Sequence, residues 1–138
     1  MSALLIIVLG ATLLTVIGIA FGGTFLLRVV SGKQGANALQ KTFFRAGHAH
    51  AGVLVTLGLV VALTTTAAGV SEVWAAIASI AVLSAAIFIP AGFFLSVLGT
   101  DPQKPGPAMA SVWVGAATLT AGLLVAGITV LSAGIGAL

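Results

Sequence analysis

The sequence has no cysteine, and charged residues make up only 5% of its 138 residues. Without cysteine, thiol redox chemistry and thiolate metal sites are excluded. Both carboxylates, Glu72 and Asp101, stand between the long apolar segments. No apolar segment therefore carries an acidic residue of the kind on which ion-coupled transport commonly depends. No serine or histidine forms a recognisable nucleophile arrangement with an acid, so we expect no catalytic residue and no enzymatic activity.

Long uncharged segments fill most of the chain, which is 60% hydrophobic. A membrane-spanning helix needs about 20 predominantly apolar residues, and none of these segments alternates in polarity as a barrel strand would. The sequence predicts an all-α, polytopic membrane protein: a bundle of four transmembrane helices with short loops, forming a single domain over residues 1–138. The predicted helices are 3–27, 46–70, 73–98 and 108–136. We expect the first to be an uncleaved helix, because no basic residue precedes it as in a signal peptide.

The basic residues all fall in two connecting segments, the first between helices one and two and the other between helices three and four. They are Arg28, Lys33, Lys41, Arg45 and Lys104. Because short loops rich in Lys and Arg stay cytoplasmic, we expect a plasma (inner) membrane protein with both termini outside. These charges would contact membrane lipids, including anionic lipid of the inner leaflet, and they require no nucleic-acid partner.

Two local features of the connections can be predicted. Ser71 is a candidate N-cap for the third helix, with Glu72 beside the positive end of its dipole. Residues 37–44 place apolar side chains beside Gln40 and Lys41, a pattern that suits a short helix lying in the inner interface.

Small residues recur along the predicted helices at spacings of three and four. The positions expected to form a helix-packing or partner face are Gly18, Gly22, Gly58, Gly115, Gly122 and Ala126. Small side chains let helix backbones approach closely in lipid, and this serves either internal packing or docking onto another membrane protein. Pro90 is expected to kink the third helix, since proline lacks the amide hydrogen and crowds the preceding turn.

Arg45, His48 and His50 form the candidate functional polar cluster. Residues i and i+2 of a helix point about 200° apart, whereas joint metal chelation requires i, i+3 or i, i+4 spacing. A haem held between two histidines of a bundle would need them on different helices, and there is no third histidine. We therefore expect no metal and no cofactor. One imidazole should face the bundle and bond a backbone or hydroxyl group, and the other, with Arg45, should face the interface or a partner.

Two segments carry a resemblance to a known group of proteins. They are FFRAGHAHAGVL at residues 43–54 and PAGFFLSVLG at residues 90–99. They resemble small four-helix integral membrane proteins of unassigned function in actinobacteria, and the Ala, Gly, Val and Thr bias suits a high-GC genome. The resemblance implies the same architecture and no particular activity.

Three classes of function remain open. The first is a non-enzymatic accessory subunit that packs against a larger inner-membrane assembly, such as a lipid transporter or a respiratory complex. The second is a small transporter or channel for an apolar or neutral solute, with Pro90 and the two histidines as a gate. The third is a haem or metal membrane protein. Minimal loops, glycine-rich faces and the lack of catalytic groups favour the accessory subunit.

Overall fold

The computed structural model describes all residues 1–138 and is helical, as predicted. Its helices are α1 (Ala3–Val30), α2 (Ala38–Ala67), α3 (Glu72–Leu95) and α4 (Ala110–Ile135), with one 3₁₀ turn over Pro107–Met109 before α4. All four helices are long and apolar enough to cross a membrane. The protein is a multi-pass membrane protein built as a four-helix bundle. The connection of α1 to α2 and that of α3 to α4 lie at one end, termed the basic end; the turn between α2 and α3 lies at the other.

Helix α3 is central, with α2 and α4 packed on it. Two groups of buried apolar residues fill the space between these three helices. They are Val61, Ala78, Val82 and Ala126 in one group and Leu54, Ala85 and Ile89 in the other. The interior between α2, α3 and α4 is therefore occupied by side chains.

Helix α1 stands apart from this three-helix unit. Only 6% of its membrane-spanning stretch is buried, against 44% for α3. Its two buried residues lie near its two ends, Leu5 and Val29. The amino group of Met1 lies 3.1 Å from the Glu72 carboxylate, and Val29 belongs to a buried group at the basic end. Helix α1 is thus held at its ends and is largely free in between.

The predicted start of the second helix was wrong. Helix α2 begins at Ala38, so the short interfacial helix expected over residues 37–44 is its first turns. The cause is a capping box. The Asn37 side chain accepts a hydrogen bond from the Gln40 amide, and the Gln40 side chain accepts one from the Asn37 amide. Nothing interrupts the helix between this cap and the apolar stretch.

Other boundaries also differ from the predicted ones. Helix α1 runs three residues further, to Val30, and α3 ends at Leu95 rather than at residue 98. After α3 the chain leaves the helical conformation, because Gly99 has a φ of 116° and the Ser96 carbonyl accepts from the Gly106 amide. Ser71 stands at the N-cap of α3, but its side chain makes no capping hydrogen bond.

Candidate functional site

An open groove separates α1 from the hairpin of α2 and α3. This α1 groove has two adjoining cavities that share Thr15, Ile19 and Ala51. The outer cavity, of about 490 Å³, runs from Val8 to Ile19 along α1 and is closed behind by α3. The inner cavity, of about 530 Å³, is nearer the basic end. Its lining residues are Thr15, Gly18, Ile19, Gly22, Phe25, His48, Ala51 and Phe94.

The walls of the α1 groove present almost no free polar group. The hydroxyls of Thr12, Thr15 and Ser84 each donate to a carbonyl of their own helix, at 2.8, 2.7 and 2.7 Å. Such intrahelical bonds satisfy the hydroxyl and leave mainly methyl and methylene surface exposed. The groove is therefore an apolar surface apart from one imidazole.

That imidazole belongs to His48, which points from α2 towards α1. Gly22 and Gly23 lie opposite it: a Cβ at Gly22 would lie 3.7 Å from Nδ1 and one at Gly23 3.7 Å from Nε2, both at ordinary van der Waals distance. His48 is half-buried and makes no hydrogen bond within the chain, and it lines the inner cavity. Gly22 and His48 thus form one local contact across the α1–α2 interface.

His50 lies on a different face of α2. Its Nδ1 is 2.8 Å from the Ala46 carbonyl oxygen, and its ring lies 5.1 Å from that of Phe93 on α3. The two histidines therefore do not converge on one site. No group of three or more His, Asp or Glu side chains is placed to hold a metal ion.

Arg45 shares the face of α2 that carries His48. Lys41, Arg45 and His48 follow one another at i, i+4 and i+7, so they form a single column on the helix surface. Lys41 and Arg45 are exposed, and neither forms an ion pair. The only carboxylate at the basic end, Asp101, accepts a hydrogen bond from the Asn37 side chain at 2.8 Å. This basic column continues the α1 groove towards the basic end.

Three of the predicted packing glycines lie at close contacts with α3. A Cβ at Gly58 would lie 2.7 Å from Leu83 Cγ, one at Gly115 3.0 Å from the Ile89 amide nitrogen, and one at Gly122 2.9 Å from the Ala78 carbonyl oxygen. Ala126, the remaining small residue of this set on α4, is buried in the core beside Val61 and Val82. Gly18 differs, because nothing lies within 4 Å of the position its Cβ would take.

A second groove runs between α2 and α4. Its cavity is about 250 Å³, and its lining residues are Val60, Val61, Thr64, Thr65, Leu123, Ala126, Gly127 and Val130. A Cβ added to Gly127 would meet nothing within 4 Å. The sequence prediction did not single out Gly127. Its spacing from the packed Gly122 places it on another face of α4.

Pro90 is buried inside α3, and the helix continues through it to Leu95. Two residues before it, the Phe88 carbonyl oxygen accepts a hydrogen bond from the Ser111 hydroxyl of α4 at 2.7 Å. Gly92 lies close to α4, since a Cβ there would be 2.8 Å from the Val112 amide nitrogen. The proline therefore lies in a tightly packed part of the α3–α4 interface, and the predicted kink stays a prediction.

The sequence prediction also missed the polar clamp at the basic end. The buried Gln40 side chain donates to the carbonyls of Val97 and Gly99, both at 3.1 Å, and the Asn37 amide group donates to the Pro102 carbonyl at 2.8 Å. The sequence feature that could have predicted these side chains as a helix cap is the Asn-x-x-Gln spacing of a capping box. This clamp fixes the α3–α4 connection onto the start of α2.

These features define a helical membrane protein with a compact three-helix unit, a loosely attached first helix and two apolar grooves open to the side. No known protein family, curated protein or solved structure matches this chain.

Proposed function

We propose that this protein is a non-enzymatic accessory subunit of a larger assembly in the plasma (inner) membrane, such as a lipid transporter or a respiratory complex. It would dock a transmembrane helix of its partner into the α2–α4 groove. Gly127 is the observation that carries this proposal. It lies in the groove, faces open space and belongs to the residue type that most favours close helix approach in lipid.

The glycines of α4 differ in what lies opposite them. A glycine within a helix costs about 1 kcal/mol of helix propensity relative to alanine. We therefore expect it at positions where a neighbouring helix packs closely and offsets this cost. Gly115 and Gly122 allow α3 to approach closely. Gly127 and Gly134 make no such contact within the chain, and of these two only Gly127 lines the α2–α4 groove, where lipid tails would cover a larger side chain equally well. A helix from another protein supplies the missing reason.

The packed interior favours this function over a small transporter or channel. Both sets of core residues lie between α2, α3 and α4, where a central path for a solute would have to run. The grooves lie between helices at the periphery of that core, so neither of them is a path through the centre of the bundle.

We also propose that both termini lie outside and that the basic end faces the cytoplasm. The distribution of the five basic residues supports this orientation, because they all lie at one end of the bundle.

The test is recovery of partners with the tagged full-length protein after extraction from its native membrane in mild detergent, measured by mass spectrometry. The variant is Gly127→Leu, and the matched control is Gly10→Leu, which places the same side chain at an equally open position on α1. Wild type and Gly10→Leu should recover the same membrane partner, and Gly127→Leu should lose it. Equal recovery with both variants, or no stoichiometric partner with wild type, would contradict the proposal.

A further inference from the structure

The inner cavity of the α1 groove has the depth of one membrane leaflet. Its α1 residues run from Thr15 to Phe25, which is about 15 Å at a rise of 1.5 Å per residue. The hydrocarbon core of a bilayer is about 30 Å thick, so this length equals about half of it. The cavity is open to the side, towards the surrounding lipid, because α1 has no buried residue between Leu5 and Val29.

The cavity has one polar lining group and is otherwise apolar. His48, which lies opposite Gly22 and Gly23, has unused hydrogen-bonding capacity, and Lys41 and Arg45 continue along the same face of α2 towards the basic end. The other wall residues are aliphatic, aromatic, glycine, or a threonine whose hydroxyl is bonded to its own helix. An occupant that fits both parts needs an anionic head and an apolar chain.

The charge at this position is uncompensated. The single ion pair of the protein joins Met1 to Glu72 at the opposite end, and the Asp101 carboxylate is engaged by Asn37. Basic pockets beside transmembrane helices bind the phosphate head groups of anionic lipids. Lys41 and Arg45 share a face of α2 with His48, and on α1 the exposed Arg28 follows the cavity-lining Phe25 at i+3.

We propose that the α1 groove binds an anionic phospholipid. Its phosphate would contact Lys41, Arg45 and His48, and one acyl chain would lie in the inner cavity between α1 and α2. This site is separate from the α2–α4 groove, so it does not depend on the proposed partner. The lipid would fill the space that the chain leaves between α1 and the other helices.

The test measures binding of phosphatidylglycerol and phosphatidylcholine to the purified full-length protein by native mass spectrometry. Lys41→Gln/Arg45→Gln removes the two charges of the column, and Lys33→Gln/Lys104→Gln removes two charges elsewhere at the basic end. We expect the first pair to weaken phosphatidylglycerol binding about thirtyfold, at about 1 kcal/mol per basic side chain. The control pair should change it less than threefold.

A second variant tests the acyl-chain part of the site. Gly18→Leu fills the inner cavity, whereas Gly10→Leu places leucine on α1 outside it. Gly18→Leu should weaken phosphatidylglycerol binding about fivefold, since a side chain in occupied space costs on the order of 1 kcal/mol. Gly10→Leu should leave it unchanged. Circular dichroism checks that every variant is folded.

Several results would overturn the proposal. Equal binding of the two lipids would remove the role of charge, and equal losses in the two double variants would indicate a general attraction of the basic end. Displacement of phosphatidylglycerol by an equal concentration of inorganic phosphate would indicate an anion site without a chain site. Gly127→Leu should keep full lipid binding, so a failure of the partner proposal is distinguishable from a failure of this one.

Discussion

The effect of each glycine depends on what lies opposite it. At Gly122 a Cβ would approach Val82, the Ala78 carbonyl and Ala81 to between 2.8 and 3.0 Å. At Gly127, five residues along the same helix, it would approach nothing within 4 Å. Helix α3 lies directly against Gly122, whereas no part of the chain lies close to Gly127. The same residue type therefore sets a helix-to-helix distance at one position and leaves free surface at the other.

Gly122→Leu should destabilise the bundle by about 1–3 kcal/mol, because a leucine forces α4 away from α3. Gly127→Leu should not destabilise the bundle, and the higher helix propensity of leucine should add up to about 1 kcal/mol. The measurement is the unfolding of each purified variant in detergent, followed by circular dichroism. Equal stability of the two variants would contradict the close α3–α4 contact at Gly122.

The sequence identified most of the packing glycines but could not assign their neighbours. The i, i+3 and i, i+4 recurrence of small residues on α4 indicates a face suited to close approach. Whether Gly58 or Gly18 meets another helix depends on where that helix lies. Gly58 lies against Leu83, and Gly18 lies beside an open cavity. Spacing within one helix carries no information on this difference.

At the scale of the elements, the start of α2 organises the basic end. One capping box begins the helix, and the same two side chains hold the α3–α4 connection through carbonyl groups of Val97, Gly99 and Pro102. Asp101, whose φ is 51°, lies within this connection and accepts from Asn37. The helix cap and the loop anchor are thus a single hydrogen-bonded unit.

Asn37→Ala should lower stability by about 0.5–2 kcal/mol, the usual range for loss of an N-cap side chain. The α3–α4 connection should also become more mobile, since the bonds to Asp101 and Pro102 are lost. Thermal unfolding gives the first quantity and amide hydrogen exchange of residues 99–106 the second. Gln34→Ala, at an exposed loop position, is the control. If the two variants unfold alike and exchange alike, the clamp has no stabilising role.

The existence of the four helices followed from the sequence, because hydrocarbon tolerates few charged side chains over a span. The start of α2 did not follow, because Lys41 and Arg45 were expected in the connection between the first two spanning helices, although a helix can extend beyond the hydrocarbon. Charge limits the spanning part of a helix, whereas its end is set by capping. The Asn37 and Gln40 side chains carried that information, and the charge pattern did not.

At the scale of the whole molecule, the chain places its basic side chains at one end and its only ion pair at the other. All five Lys and Arg residues lie at or near the basic end, and Glu72 lies beside Met1 at the opposite end. The asymmetry is the basis for the proposed orientation. The same end carries the basic column and the hydrogen-bonded clamp, so it is the more polar and the more highly structured of the two.

Single cysteines at Ser2, Gln34, Ser71 and Gln103 test this orientation, since the native chain has none. In intact cells a membrane-impermeant thiol reagent should label positions 2 and 71 and should leave 34 and 103 unlabelled. All four should react after the membrane is permeabilised. Labelling of positions 34 and 103 alone in intact cells would reverse the orientation.

The loose attachment of α1 bears on biosynthesis. Helix α1 leaves the ribosome before α2, α3 and α4, and it is the most apolar of the four helices. It can therefore reside alone in the bilayer while the rest of the chain is made. Helix α2, the least apolar, follows immediately and acquires α3 as its neighbour through the short turn at Gly69. The most apolar and least buried of the four helices is thus the first of them to be made, before α2, α3 and α4 assemble beside it.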